Sequence, residues 1–252
     1  MAREKDIPFN FHAEGHAFSA HFVRPVDVPI GAQAATSLPT VGGFAHARVE
    51  RFDVPRLVSF ELGETHVAGS WQEFNIVTTS ATAVLKRLSV LDFLTVDKVV
   101  SRLTGEYIDD PKNRESHIIA LGSHFDNLRL GGFEVKVTLR HDLLVNSKNF
   151  AELKDNLKGD KGTEKVTSIS DGAATCSLVE KIEVDPGLKK LRGFEVRGHI
   201  LKVPHFGEIA LAEVLAEPGT ITLTMLRLQL GSPDGGSGTG GQTRTNGQPP
   251  PP

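Results

Sequence analysis

The sequence has little of several residue types and patterns that mark common classes of protein. Its 252 residues include one cysteine, one tryptophan and one tyrosine. Because Cys176 is alone, no intrachain disulfide can form, which suits a reducing compartment. The apolar runs are far shorter than the ~20 residues that a membrane-spanning helix needs. We therefore expect a soluble protein, and a cytoplasmic one, since residues 1–8 do not lead into the apolar segment of a signal peptide.

Charge of one sign is not in excess either. The chain carries 28 Lys and Arg against 31 Asp and Glu, a formal net charge of −3, with both signs spread along its length. A nucleic-acid surface needs a basic stripe to displace counterions, and a membrane patch needs clustered Lys and Arg. The sequence therefore predicts neither a nucleic-acid nor a membrane partner. The 14 Phe beside Trp71 and Tyr107 favour packing between sheets over stacking on sugars or bases.

The most informative segment that is present is a β-hairpin. Residues 133–140 alternate apolar and polar side chains directly after Gly131-Gly132. Alternation with period two is typical of a half-buried strand, and a Gly-Gly pair supplies the positive φ angles of a two-residue turn. The predicted register pairs Leu130 with Phe133 and Arg129 with Glu134.

Similar patterns recur along the chain and predict a mainly β fold, an antiparallel sandwich or barrel. Thr220–Leu230 alternates throughout but changes phase in the middle, which indicates a bulge or a strand that passes between two sheets. Asp92–Leu103 fits a strand or a helix, and its many β-branched residues favour a strand. Residues 148–158 are the one predicted helix, with Ser147 as its N-cap and Gly159 at its end.

The composition changes sharply after residue 230. Residues 231–252 are rich in Gly, Ser and Pro and contain no large apolar residue, so they are predicted to form a flexible tail that cannot offset the entropy of ordering. Residues 1–230 are predicted to form a β-rich globular body. Two subdomains, at about 1–145 and 160–230, are a further possibility.

One segment near the N-terminus gathers candidate metal ligands. His12, Glu14 and His16 alternate, so on a strand all three would project from the same face, with His21 in reserve. Imidazole nitrogens with one carboxylate suit zinc or iron. The alternative interpretation is that these side chains decorate the exposed face of a strand and bind nothing.

Other reactive residues have simpler explanations. Ser123, His124 and Asp126 have the composition of a catalytic triad, but neighbours on a strand point to opposite faces, so Ser123 and His124 should diverge. Cys176 has no basic neighbour in sequence and is interpreted as a small buried residue. Asp109-Asp110 precedes a proline and is typical of a turn.

No segment carries a motif that specifies a reaction. The sequence therefore favours a non-catalytic protein that acts through its surface and sheet edges, as a homo-oligomer or with a protein partner, and needs no cofactor. Recognition of peptides by strand addition is a related possibility. The alternative is a small-molecule-binding protein or a metal-dependent enzyme, with zinc as a possible cofactor, whose histidines line the mouth of a β-barrel.

Overall fold

The computed structural model describes residues 9–24, 26–72, 76–108, 115–159, 166–231 and 235–248. These ranges contain long strands and three short helices, α1 (Asp142–Val145), α2 (Phe150–Gly159) and α3 (Pro186–Lys189). The strands are β1 (Asn10–Arg24), β2 (Val28–Gln33), β3 (Thr36–Ser37), β4 (Gly43–Val54), β5 (Val58–Trp71), β6 (Ile76–Val90), β7 (Leu94–Ile108), β8 (His117–Ile119), β9 (His124–Asp126), β10 (Arg129–Leu130), β11 (Phe133–Leu139), β12 (Val166–Ile169), β13 (Ala174–Ser177), β14 (Val179–Val184), β15 (Glu195–Arg197), β16 (Ile200–Val203), β17 (Gly207–Glu217), β18 (Thr220–Leu230) and β19 (Gly235–Gln248).

The strands form two antiparallel sheets that pack face to face. Sheet A has the order β12-β13-β17-β18-β19-β1-β2, with β16 beside β17, β15 beside β16 and β3 beside β1. Sheet B has the order β14-β11-β10-β7-β6-β5-β4, and both β8 and β9 pair with β7. The prediction of a mainly β antiparallel sandwich is confirmed. Within the described ranges, no helix is long and apolar enough to cross a membrane.

The structure confirms the predicted hairpin at Gly131-Gly132 and the predicted strand at residues 92–103. Leu130 pairs with Phe133 and Arg129 with Glu134, as the two-residue turn predicts. Gly131 and Gly132 have φ angles of 56° and 84°, the left-handed conformation that such a turn requires. Residues 94–108 form the strand β7, which confirms the preference for a strand there.

The phase switch in β18 is part of a row of kinks across sheet A. Ala212 and Gly241 adopt φ angles of 49° and 61° on the strands that flank Met225. The register is the same on both sides of this row, so the switch arises from left-handed residues and not from an inserted bulge residue or a change of sheet. Arg51 and Arg87, with φ angles of 53° and 51°, occupy equivalent places on alternate strands of sheet B. Each kink moves the buried side chains from one parity of the strand to the other.

The prediction of a flexible tail after residue 230 is wrong for the residues that the structure describes. Residues 235–248 form β19, which pairs along its length with β18 on one side and β1 on the other. A central strand contributes backbone hydrogen bonds on both edges and does not need large side chains of its own. At Gly240 the leucines Leu85 and Leu226 approach to 3.5 Å and 3.6 Å of the position of a Cβ, so neighbouring apolar groups cover the strand. Residues 249–252 lie outside the described ranges.

Two hydroxyl pairs join β19 to sheet B inside the sandwich. Thr243 and Ser101 have oxygen atoms 2.7 Å apart, and those of Thr245 and Thr79 are 2.9 Å apart. All four side chains are buried, and each hydroxyl satisfies its partner. Apolar residues continue on both sides of this polar layer, in a main core and in a smaller cluster that contains Phe11.

The Ser101–Thr243 pair gives a test of this packing. We expect Thr243→Val to lower the free energy of unfolding by about 1–3 kcal/mol, because it leaves the Ser101 hydroxyl buried without its partner. The double variant Ser101→Ala/Thr243→Val should recover part of that loss. Chemical denaturation of the wild type, both single variants and the double variant measures the coupling. Losses that simply add would contradict the hydrogen bond.

The predicted helix 148–158 is confirmed as α2, which buries Phe150, Leu153 and Leu157. Its start differs from the prediction, because the Asn149 side chain accepts a hydrogen bond from the backbone N–H of Glu152 at 2.9 Å. Ser147 instead donates to the carbonyl of Leu143 in α1. Asparagine is as good an N-cap as serine, so residue type alone could not distinguish them.

Strand pairing crosses the possible boundary between subdomains. β11 pairs with β14 in sheet B, and β1 pairs with β19 in sheet A. Side chains from both sides of residues 145–160 meet in the main core, which includes Phe18, Leu85 and Leu223. The described residues before and after this region therefore share one core.

Candidate functional site

The larger concave features lie on the outside of the sandwich. Three open grooves have volumes of about 590, 680 and 520 Å³, whereas a gap beside α2 and a gap at the turns after β4 and β6 have volumes of about 20 and 40 Å³. A cavity needs about 10–15 Å³ of such volume to hold one water, so the two gaps have room for only a few water molecules and are too small for a substrate. Of these five features, the three grooves are therefore the candidate binding surfaces.

The three residues predicted to bind metal lie on the outer face of β1, beside the groove of about 590 Å³. The Nε2 atom of His12 is 3.7 Å from Oε1 of Glu14. The same carboxylate oxygen is 3.6 Å from Nη1 of Arg244 on β19, and Nη2 of Arg244 is 3.9 Å from Glu217. Glu14 is therefore part of an ion-pair network with an arginine, which competes with a metal ion for the carboxylate.

His16 makes its hydrogen bonds with residues that line the groove of about 680 Å³ instead. Its Nε2 atom lies 3.1 Å from the hydroxyls of both Thr239 and Ser19. Burial lowers the pKa of His16, an effect that the charge of Glu14 partly opposes. Burial therefore favours the neutral form of the ring, which is within hydrogen-bonding distance of two hydroxyl groups. Metal binding by His12, Glu14 and His16 stays a prediction.

A different set of ligand atoms converges on sheet B. Among the described residues, the group of three His, Cys, Asp or Glu side chains whose ligand atoms all lie within 4.8 Å of one another is His46, Glu64 and His66. His46 on β4 pairs directly with His66 on β5, and their rings stack with centroids 4.3 Å apart and an interplanar angle of 12°. Both Nε2 atoms approach Oε1 of Glu64, at 3.1 Å and 3.2 Å. We call this group the His-Glu-His cluster.

The cluster holds an ionised carboxylate. Burial raises the pKa of Glu64, but hydrogen bonds and charge interactions with His46 and His66 more than offset this, so its pKa is lower than usual. The nearby Arg48 forms an ion pair with Glu50. The cluster depends on the register between β4 and β5, which the local sequence pattern alone does not specify. A histidine facing a Glu-x-His segment across a predicted hairpin is the signal that could have located it.

A second group of charged side chains is more deeply buried, on β17 and its neighbours. Glu213 accepts a hydrogen bond from Arg227 Nη2 at 2.8 Å, and its Oε1 lies 3.1 Å from Nε2 of His199. The His199 side chain is 1% exposed and that of Glu213 12%. Burial raises the pKa of Glu213, but the hydrogen bonds and charges of Arg227 and His199 outweigh it and lower the pKa to about 2. This network has the geometry of a structural ion pair.

The other candidates do not converge. The Ser123 hydroxyl accepts from the backbone N–H of Arg102 at 2.9 Å and donates to its carbonyl at 3.1 Å. His124 lies 3.6 Å from Asp126 and 2.8 Å from the carbonyl of Gly122. Cys176 is buried in the main core. Residues 109 and 110 lie outside the described ranges.

Sheet B has a free edge at β4, which is a further candidate for binding. β4 spans 12 residues and pairs with β5 on one side, and within the described residues no other strand pairs with it. Phe44 is 66% exposed at the start of this strand, and Val41, just before it, is 86% exposed. Long strands with one free edge are templates for pairing with another chain.

Comparison with known proteins gives a family without an assigned activity. A family model described as "Domain of unknown function (DUF8256)" matches residues 9–170, more than half of the chain. The chain belongs to this family. No curated protein and no solved structure matches.

The matched DUF8256 region includes both β4 and the His-Glu-His cluster, and it ends just beyond β12. The buried network around Glu213 and the strand β19 lie after it. In the structure, however, β19 fits between β18 and β1, so a strand outside the DUF8256 match completes a sheet that begins within it.

Proposed function

We propose that this protein is a non-catalytic assembly module, and that it associates with a second copy of itself through the free edge of β4. The observation that carries the proposal is the length of this edge, whose outward backbone N–H and C=O groups can form a ladder with another strand. The three large grooves support it, because they are open and lie on the surface of the sandwich. The described residues form a sandwich, which favours this proposal over the alternative of a site in the mouth of a barrel.

The side chains of β4 favour a second copy as the partner. Even-numbered residues up to Glu50 point outward, whereas Ala47 and Val49 pack towards the main core. An antiparallel pair of β4 strands centred on Val49 would place Arg48 of each copy opposite Glu50 of the other, and such cross-strand pairs are stabilising. The kink at Arg51 and the charge of Asp53 would limit pairing at the other end of the strand, because bulged and charged edges resist it.

Two adjacent proline substitutions test this proposal. Neighbouring residues of an antiparallel strand direct their N–H groups to opposite edges, so one of Ala47 and Arg48 has its N–H towards β5 and the other towards the free edge. We expect the wild type to be a dimer in light scattering. The proline variant that keeps the wild-type melting temperature should be a monomer, because proline is tolerated at an edge but cannot donate a hydrogen bond there.

The second proline variant is the internal control. It removes a hydrogen bond to β5 and should melt at a lower temperature. A wild type that is monomeric at high concentration would overturn the proposal, and so would a thermally stable proline variant that remains dimeric. Two statements remain predictions from the sequence: that the protein is cytoplasmic, and that it has no nucleic-acid partner.

A further inference from the structure

We propose that His46, Glu64 and His66 bind a divalent transition-metal ion on the outer face of sheet B. Two imidazole nitrogens and one carboxylate oxygen are the ligand set of many zinc and non-haem iron sites. The proposal is independent of the self-association of β4. It concerns different residues from the His12, Glu14 and His16 set, whose carboxylate is engaged with Arg244.

All three ligand atoms lie within 4.8 Å of one another, and the two distances that involve Glu64 fit one ion. Donor atoms about 2.1 Å from a metal lie about 3.0 Å apart in octahedral geometry and about 3.4 Å apart in tetrahedral geometry. The two distances from Glu64 Oε1, to Nε2 of His46 and of His66, are 3.1 Å and 3.2 Å, which lie between these values. The two rings are stacked with an interplanar angle of 12°, so they must tilt towards each other at their Nε2 ends for both lone pairs to converge on one ion.

Accessibility and backbone rigidity also favour a metal site. The side chains of His46, Glu64 and His66 are 34%, 22% and 38% exposed, so an ion can enter from solvent and keep water at its remaining positions. The two histidines form a directly opposed cross-strand pair, and Glu64 lies two residues before His66 on the same face. Because the three ligands lie on two hydrogen-bonded strands, the backbone needs little reorganisation to bind an ion.

The charge and the donor atoms of the cluster also favour a transition-metal ion. A site with one negative charge and two neutral nitrogens suits Zn²⁺, Fe²⁺, Co²⁺ or Ni²⁺ rather than Ca²⁺ or Mg²⁺, which prefer oxygen ligands.

Calorimetric titration of the purified full chain with Zn²⁺ tests the site. We expect one ion per chain in the wild type. His66→Gln should weaken binding at least about tenfold, because glutamine preserves a polar contact to Glu64 but supplies no imidazole ligand. His12→Gln is the matched control, since His12 is also half-buried on an outer sheet face beside a glutamate, and it should leave the affinity unchanged.

Several outcomes would overturn the site. Absence of stoichiometric binding, binding that His66→Gln leaves intact, or loss of binding in His12→Gln would each do so. A stoichiometry of one ion per two chains would assign the ion to an interface instead. Because all three ligands are partly exposed, the variants should fold, and circular dichroism with the wild-type melting temperature in the absence of metal verifies this.

Discussion

A chain that ends at Leu230 is expected not to fold. The deletion removes β19, so β18 and β1 each lose the strand that they pair with along most of their length. It also opens the interior, because Thr243 and Thr245 cover Ser101 and Thr79 of sheet B. Loss of the central strand of a ten-stranded sheet should abolish the cooperative thermal transition, measured by circular dichroism and calorimetry.

A pair of point substitutions tests the same strand in the complete chain. A Cβ at Gly236 would lie 2.4 Å from the carbonyl oxygen of His21, and its φ angle is 152°. Gly236→Ala should therefore lower the free energy of unfolding by about 1–3 kcal/mol. Ser237→Ala, at the exposed neighbouring residue, should have almost no effect. For the chain that ends at Leu230, melting within a few degrees of the wild type would contradict the first prediction and show that the residues after 230 are a dispensable tail.

The sequence predicted best those features that depend on neighbouring residues. The hairpin at Gly131-Gly132 was predicted with its register, because the turn type requires positive φ angles and the alternation fixes which residues face each other. The helix α2 was predicted for the same reason, with an N-cap wrong by two residues. The phase change in β18 was also visible, but its cause was not, because a kink at Ala212 lies on another strand.

β19 was missed because its stability does not come from its own side chains. Gly, Ser and Thr bury little apolar surface, so the composition is the same as that of a disordered tail. In the folded chain these small residues allow close approach, as at Gly238, where the Cβ of Ala20 lies 3.2 Å from the position of a Cβ. Only the partners, β1 and β18, distinguish a buried glycine-rich strand from a flexible one, and both are distant in sequence.

The two sets of candidate metal ligands also show that closeness in sequence and closeness in the fold are different. His12, Glu14 and His16 attracted attention because they are close in sequence, and alternation does place them on one face of β1. Proximity in the chain does not make ligand atoms converge, since residues two apart on a strand are separated by almost 7 Å. His46 and His66 are 20 residues apart, but the β4–β5 register places them directly opposite each other.

The network around Glu213 had no local signal at all. Its three members come from β17, β18 and the turn between β15 and β16, and each one alone resembles an ordinary surface residue. Burying a carboxylate is unfavourable unless charged and hydrogen-bonding partners compensate for the lost water. Arg227 and His199 provide that compensation, which makes Glu213 sensitive to the removal of its charge.

Glu213→Gln is expected to lower the free energy of unfolding at pH 7 by about 3 kcal/mol, because it leaves Arg227 and His199 without the carboxylate. The pKa of Glu213 is about 2 in the folded protein against 4.5 ordinarily, so its stabilisation is complete above about pH 5 and decreases as the pH falls from 4.5 towards 2. The stabilities of the wild type and the variant should therefore converge in acid, which urea denaturation at several pH values measures.

Glu61→Gln is the control, since Glu61 pairs with Arg87 at 2.9 Å on the exposed surface and should contribute less than about 1 kcal/mol. A difference between the wild type and Glu213→Gln that is independent of pH would contradict the charged network and indicate packing alone.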